Sequence, residues 1–113
     1  MEYQIKTTET FDKEAKRLKK RYVSLGDDIA RLVGELLKNP ETGVSLGGGL
    51  RKVRLSIESK GKGKRGGGRV ITFTVVTSQV STDLFLITIY DKSEQDTISL
   101  ETIDSLLIKN GLI

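Results

Sequence analysis

The residues best suited to chemistry are the cations between Arg51 and Arg69. This segment holds eight Lys or Arg side chains and one acid, Glu58, so its net charge is +7, while the rest of the chain carries −3. Unpaired like charges repel one another and lower stability unless a partner neutralises them. A basic stripe on a mildly acidic body indicates a protein that binds a polyanion, with a merely solvated, charged loop as the alternative.

The residue types that are missing limit the chemistry further. The chain has no cysteine, which excludes disulfides, thiolate nucleophiles and zinc–sulfur sites, and it has no histidine, the usual base at neutral pH. Asp91, Glu94 and Asp96 do not make a complete set of metal ligands, and we expect them to orient Lys92 or to cap the last helix. We therefore expect no metal and no cofactor.

The length of 113 residues predicts a single domain, 1–113. The chain has no apolar run long enough for a bilayer, and residues 1–6 lack the charged and apolar regions of a signal peptide. We therefore expect a cytoplasmic protein that does not enter a membrane.

The apolar spacing predicts the element order β-α-α-β-β-β-α. Ser24, followed by Asp27, resembles a capping box at the start of the second helix, which Pro40 ends. Residues 41–49 are predicted as a loop. The segments with strand or helix spacing are a weak strand at 3–6, helices at 11–22 and 25–37, strands at 52–57, 69–77 and 83–90, and a helix from 99 to 110.

Short connections between the last three strands predict an antiparallel meander. The expected fold is α+β, a two-layer sandwich with the helices on one face of an antiparallel sheet and the other face uncovered. Successive strand residues point to opposite faces, so Lys52 and Arg54 should stand together on the uncovered face, away from Val53 and Leu55.

Residues 59–68, called here the glycine–lysine loop, alternate glycine with cations. Glycine keeps the backbone adaptable, and both its amides and the lysines can bind phosphate oxygens. The spacing is not that of a P-loop, because a strand and not a helix follows. This pattern indicates nucleic-acid binding, but it distinguishes neither RNA from DNA nor binding from cleavage.

The run LRKVRLSIESKGKGKRGGGRVITF, followed by LITIYDKSE, resembles the RelE/ParE superfamily of toxins, and within it the HigB-like branch of RelE-type toxins. The resemblance extends over most of the chain, including the helical hairpin. It implies a compact sheet with helices on one side and a place in a bacterial type II toxin–antitoxin pair. Such a toxin enters the ribosome and cuts mRNA, and its antitoxin often carries a helix-turn-helix domain.

The resemblance also implies a reaction in which the 2′-hydroxyl of the mRNA attacks the neighbouring phosphate without a metal. Arg54 and Arg69 then suit charge stabilisation, because a guanidinium stays protonated and binds two oxygens at once. Lys52 is the candidate base or proton shuttle, since neighbouring cations favour the neutral form of an amine. Lys92 is the candidate contact to the leaving group.

The remaining candidates are expected to bind RNA. They are five cations and two aromatic residues: Arg51, Lys60, Lys62, Lys64, Arg65, Phe73 and Tyr90. Some RelE-type toxins use a tyrosine near the C-terminus, and residues 93–113 contain none. Two other functions therefore stay open: a ParE-like inhibitor of DNA gyrase, and a nucleic-acid-binding module without catalysis.

Overall fold

The computed structural model describes residues 2–113. Its elements are β1 (Glu2–Thr7), α1 (Glu9–Arg21), α2 (Leu25–Lys38), β2 (Val44–Gly47), β3 (Leu50–Leu55), a 3-10 turn (Glu58–Lys60), β4 (Gly68–Val76), β5 (Ser81–Asp91) and α3 (Leu100–Lys109). None of the helices within 2–113 is long and apolar enough to cross a membrane.

The five strands form one mixed sheet in the order β1-β5-β4-β3-β2. The predicted meander is present, since β3, β4 and β5 pair antiparallel, but β1 lies parallel to β5. The expectation of a purely antiparallel sheet was therefore wrong. No hairpin joins β1 to β5, so no turn fixes their relative direction.

Helices cover both faces of this sheet, which corrects the predicted two-layer arrangement. Side chains of α1 and α2 pack with Val53, Val70 and Leu86 on one face. On the other face, Ile103 and Leu107 of α3 join a second apolar cluster. The reason is that β4 and β5 carry apolar side chains on both faces of the sheet, so helices must bury each face.

A fifth strand, β2, lies where a loop was predicted. Val44 and Ser45 pair antiparallel with Lys52 and Arg51, with a register shift before Gly47. Three successive glycines after Leu46 all have positive φ, between 60° and 89°, which L-residues rarely adopt. This backbone turns the chain tightly into β3 and leaves β2 as the short edge of the sheet.

The start of each helix in the hairpin is tied to the rest of the fold. Thr8 caps α1 by accepting from the Phe11 N–H, and its hydroxyl donates to the Ile87 carbonyl of β5 at 2.7 Å. The capping box predicted from Ser24 and Asp27 was wrong, because Ser24 makes no side-chain cap. Its hydroxyl instead donates to the carboxylate of Asp28 at 2.7 Å.

Candidate functional site

A row of polar side chains crosses three strands on the face that α3 partly covers. Arg54 of β3 lies opposite Arg69 of β4, which in turn lies opposite Tyr90 of β5. Lys52 lies in the next row, opposite Ile71. Because directly opposed residues project from the same side of a sheet, these side chains are neighbours.

Strands β2, β3 and β4, together with the segment after β5, line one open cavity of about 340 Å³. We call it the cationic cavity; its lining residues are Val44, Leu46, Lys52, Arg54, Arg69 and Lys92. The structure thus brings together all four residues that the sequence proposed as catalytic. Lys52 and Lys92 are half-buried, Arg54 is exposed, and Arg69 is buried.

Arg69 has a second role that the sequence did not reveal. Its residue is only 7% exposed, and its guanidinium donates to the carbonyls of Lys64, Arg65 and Gly68 at 2.9–3.1 Å. A guanidinium carries five N–H donors, and within residues 2–113 only these three carbonyls accept from it. Arg69 therefore fixes the end of the glycine–lysine loop, and two of its five donors have no acceptor within residues 2–113.

Lys92 is held by one carboxylate at the rim of the cationic cavity. Its Nζ donates to the Asp96 carboxylate and to the Asp96 carbonyl, both at 2.6 Å. The hydrogen bond from Lys92 lowers the pKa of Asp96, and the charges of Lys52 and Arg69 lower it further. The prediction that a turn acid orients Lys92 is confirmed for Asp96.

Tyr90 completes the row beside Arg69. The residue is buried, and within residues 2–113 its hydroxyl has no hydrogen-bond partner. Burial raises the pKa of this hydroxyl, so it stays protonated at neutral pH. It can therefore donate a hydrogen bond, or accept one as a neutral group. Phe73, the other predicted aromatic contact, packs half-buried against the α3 cluster and does not line the cationic cavity.

The glycine–lysine loop is anchored at its start by a buried carboxylate. Asp91 is fully buried and accepts from Lys60 Nζ at 2.6 Å, from the Tyr22 hydroxyl and from Ser93. Burial opposes its ionisation, but the hydrogen bonds from Lys60, Tyr22 and Ser93 outweigh that effect and hold the pKa of Asp91 well below its ordinary range. Lys60 therefore forms an internal ion pair, which corrects the expectation that its charge is free for RNA.

A second buried carboxylate holds the preceding turn. Asp28 is 1% exposed, accepts from the Glu58 N–H at 3.2 Å, and pairs with Arg31. Ser24 adds a hydrogen bond to this carboxylate and another to Ser59. The loop expected to be flexible is thus fastened to α2, to β5 and to Arg69.

Arg51 lies apart from the other cations. Its strand position puts it on the opposite face from Lys52, and its guanidinium donates to the carbonyls of Glu41 and Gly43 at 2.9 and 3.3 Å. Arg51, which was predicted to bind RNA, therefore does not share a face with Lys52 and Arg54, because the alternation of the strand separates adjacent residues. Arg51 instead holds the segment before β2.

The exposed part of the glycine–lysine loop carries the remaining predicted RNA-binding cations, Lys62, Lys64 and Arg65. Lys64 Nζ lies 4.0 Å from Glu35, a distant contact for an ion pair. Within residues 2–113, no acid pairs with Lys62 or Arg65. These side chains remain accessible to a polyanion.

The sequence reasoning missed Asp28 and Tyr22, which hold the loop but do not border the cationic cavity. It also expected Asp91 to orient Lys92 or to cap the last helix, which was wrong, because Asp91 accepts from Lys60, Tyr22 and Ser93. The available signal was an acid directly after the apolar strand that ends at Tyr90, where burial of a carboxylate demands a cation. No cluster of three or more potential metal ligands occurs within residues 2–113. In a comparison with protein families, no family model matches the chain.

Proposed function

We propose that this protein is a toxin of the RelE/HigB type that cuts ribosome-bound mRNA and thereby stops translation. The observation that carries the proposal is the cationic cavity, where Lys52, Arg54, Arg69 and Lys92 meet around one opening. Among residues 2–113, those that line the cavity include four cations and no acid, and the Asp96 carboxylate at its rim binds Lys92. Such a site favours the extra negative charge that a phosphodiester gains in its transition state.

The proposed reaction is a transesterification within the RNA. Lys52 removes the proton of the 2′-hydroxyl, and the 2′-oxygen forms a bond to phosphorus while the bond from phosphorus to the 5′-oxygen breaks. Arg54 and the two remaining donors of Arg69 bind the non-bridging oxygens. Lys92 contacts the departing 5′-oxygen, which takes a proton from solvent, and Lys52 releases to solvent the proton that it accepted. The products are a 2′,3′-cyclic phosphate and a 5′-hydroxyl.

Tyr90 supports this site from the neighbouring strand. Tyr90 lies opposite Arg69 in the β4–β5 pairing, outside the residues that line the cationic cavity, and its hydroxyl is protonated at neutral pH. A phosphate oxygen that reached past Arg69 would give this buried hydroxyl an acceptor. Satisfying a buried hydroxyl only when substrate is bound favours the bound state. The exposed Lys62, Lys64 and Arg65 hold the flanking RNA backbone.

The partners in this proposal are the ribosome, its mRNA and a cognate antitoxin of the helix-turn-helix kind. Phosphate contacts release counterions, so ribosome binding should weaken steeply as the salt concentration rises. Affinity that stays constant from low to physiological salt would argue against the cationic cavity as the contact surface.

The test is primer extension on ribosomes programmed with a defined mRNA and incubated with purified protein. We expect cuts at fixed positions within codons, and a rate that falls by about 10²–10⁴-fold in Lys52→Ala, which removes the proposed base. The matched control is Lys38→Ala, an exposed lysine at the end of α2, which packs on the other face of the sheet. Its rate should equal that of the wild type.

Two outcomes would replace the proposal. Supercoiling inhibition of DNA gyrase without mRNA cuts would identify a ParE-like inhibitor. Ribosome or RNA binding that depends on Lys52 and Arg54, with no cleavage by the wild type, would identify a binding module without catalysis.

A further inference from the structure

One wall of the cationic cavity is apolar. Val44 and Leu46, both from β2, line it together with the four cations. Val44 lies directly opposite Lys52 in the β2–β3 pairing, so the two side chains project side by side from the same face. The cavity therefore places aliphatic carbon next to an ammonium group.

The two apolar residues are held differently. Leu46 is partly buried and packs against the cluster that contains Leu50, Ile71 and α3, so its position is fixed by the core. Val44 is 66% exposed and lies at the sheet edge. A single exposed valine is ordinary on a protein surface. Val44 differs because it extends a core-supported apolar surface to the mouth of a cationic site.

A ligand that fills such a cavity needs two kinds of surface. The cations suit a phosphate, whereas the aliphatic wall gains nothing from a phosphate and is covered favourably only by a group with an apolar face. A nucleotide unit has both, since every base carries a π-face beside its sugar–phosphate. An inorganic polyphosphate, which has only charge, would leave Val44 in water.

We propose that Val44 and Leu46 form a base-binding wall. The cationic cavity therefore prefers a nucleotide with its base to a phosphate chain without bases. This inference rests on the proposed function, because it places the RNA backbone on Lys52, Arg54 and Arg69. Aliphatic side chains offer no hydrogen bonds, so the wall accepts any base and contributes affinity without sequence preference.

The test measures fluorescence anisotropy of two labelled RNA oligomers of equal charge at low salt. Both carry a 2′-O-methyl group at the central nucleotide to prevent cleavage, and one of them lacks the central base. Val44→Thr keeps the shape and replaces a methyl with a hydroxyl. We expect it to weaken binding of the complete oligomer about fourfold, the effect of losing one buried methyl group. Binding of the abasic oligomer should not change.

The matched control is Val80→Thr, in the turn between β4 and β5, where the valine is also 66% exposed. It should bind both oligomers as the wild type does. Equal affinity of the wild type for the two oligomers, or equal weakening of both by Val44→Thr, would overturn the base-binding wall. If Lys52→Ala weakens neither oligomer, the failure lies in the proposed function itself, because then the cations do not hold RNA.

Discussion

Replacing Asp91 with Asn tests whether the buried ion pair holds the glycine–lysine loop. The change keeps the shape of the side chain but removes the charge that faces Lys60 Nζ at 2.6 Å. The Lys60 side chain is only 11% exposed, so its ammonium would stay largely desolvated without a counter-ion. Removing one partner of a buried pair costs about 3–5 kcal/mol, because the other charge is left uncompensated.

That loss is a large part of the total stability of about 5–15 kcal/mol expected for a domain. For a chain of this size, a loss of 3 kcal/mol corresponds to a fall of roughly 10–15 °C in the unfolding midpoint. Urea unfolding followed by circular dichroism, with thermal melts in parallel, measures both quantities. The control Asp96→Asn removes a carboxylate from a solvent-exposed pair, and should leave the midpoint almost unchanged.

The pH dependence supplies an independent check with a definite sign. The pKa of Asp91 is lower in the folded protein than in the unfolded chain, where it is about 3.9. The contribution of the Asp91 carboxylate to the free energy of unfolding is therefore fully present above about pH 5. It is lost as the pH falls below 4 toward the pKa of Asp91 in the folded protein. The stability gap between wild type and Asp91→Asn should be constant from pH 5 to 7 and narrow in acid.

A difference in unfolding free energy between wild type and Asp91→Asn below about 1 kcal/mol at pH 7 would show that the ion pair does not hold the loop. A difference that widens on acidification would show the same. The double variant Asp91→Asn with Lys60→Met separates the ion pair from the loss of the carboxylate alone. Removing the unpaired ammonium should restore part of the lost stability. A double variant less stable than Asp91→Asn would show that Lys60 stabilises the fold through contacts other than the pair.

Three further predictions concern the row formed by Arg54, Arg69 and Tyr90. Tyr90→Phe removes a buried hydroxyl that has no partner within residues 2–113. Thermal unfolding should therefore show a stability equal to that of the wild type or higher by up to about 1 kcal/mol, while mRNA cleavage slows. A clear loss of stability would instead reveal a partner for the hydroxyl. Arg69→Lys removes the guanidinium that binds the Lys64 and Arg65 carbonyls, so a protease should cut the glycine–lysine loop faster than in the wild type. An unchanged rate of proteolysis would show that Arg69 does not hold this loop. Arg54→Ala should reduce the slope of log affinity for single-stranded RNA against log salt by about 0.7; an unchanged slope would place Arg54 off the RNA path.

Local patterns predicted the parts of the fold that depend on neighbouring residues. The helical spacing of Phe11, Ala15 and Leu18 and the alternation around Val53 predict α1 and β3, and all of these residues are buried. The same alternation places Lys52 and Arg54 on one face. Arg69 joins them because β3 and β4 flank the glycine–lysine loop and pair antiparallel, which brings Arg69 opposite Arg54.

Features that depend on distant pairing could not be read in this way. The parallel partner of Ile5 is Leu84, far along the chain, and nothing in either segment encodes the direction. Both faces of β4 are apolar, so the sequence does not say which one α3 covers. Lys60 and Lys62 stand in the same alternation with glycine, yet only Lys60 reaches Asp91.

The end of β5 links the stability of the loop to the charge of the cationic cavity. Asp91 and Lys92 are consecutive, and alternation sends adjacent side chains to opposite faces of a sheet. Asp91 accordingly meets Tyr22, the residue that follows α1, whereas Lys92 borders the cavity on the face of α3. One residue inserted after Tyr90 would reverse both directions, removing the anion that anchors Lys60 and bringing a carboxylate toward Arg69. The register of this strand end thus fixes both the shape of the loop and the size of the positive charge in the cavity.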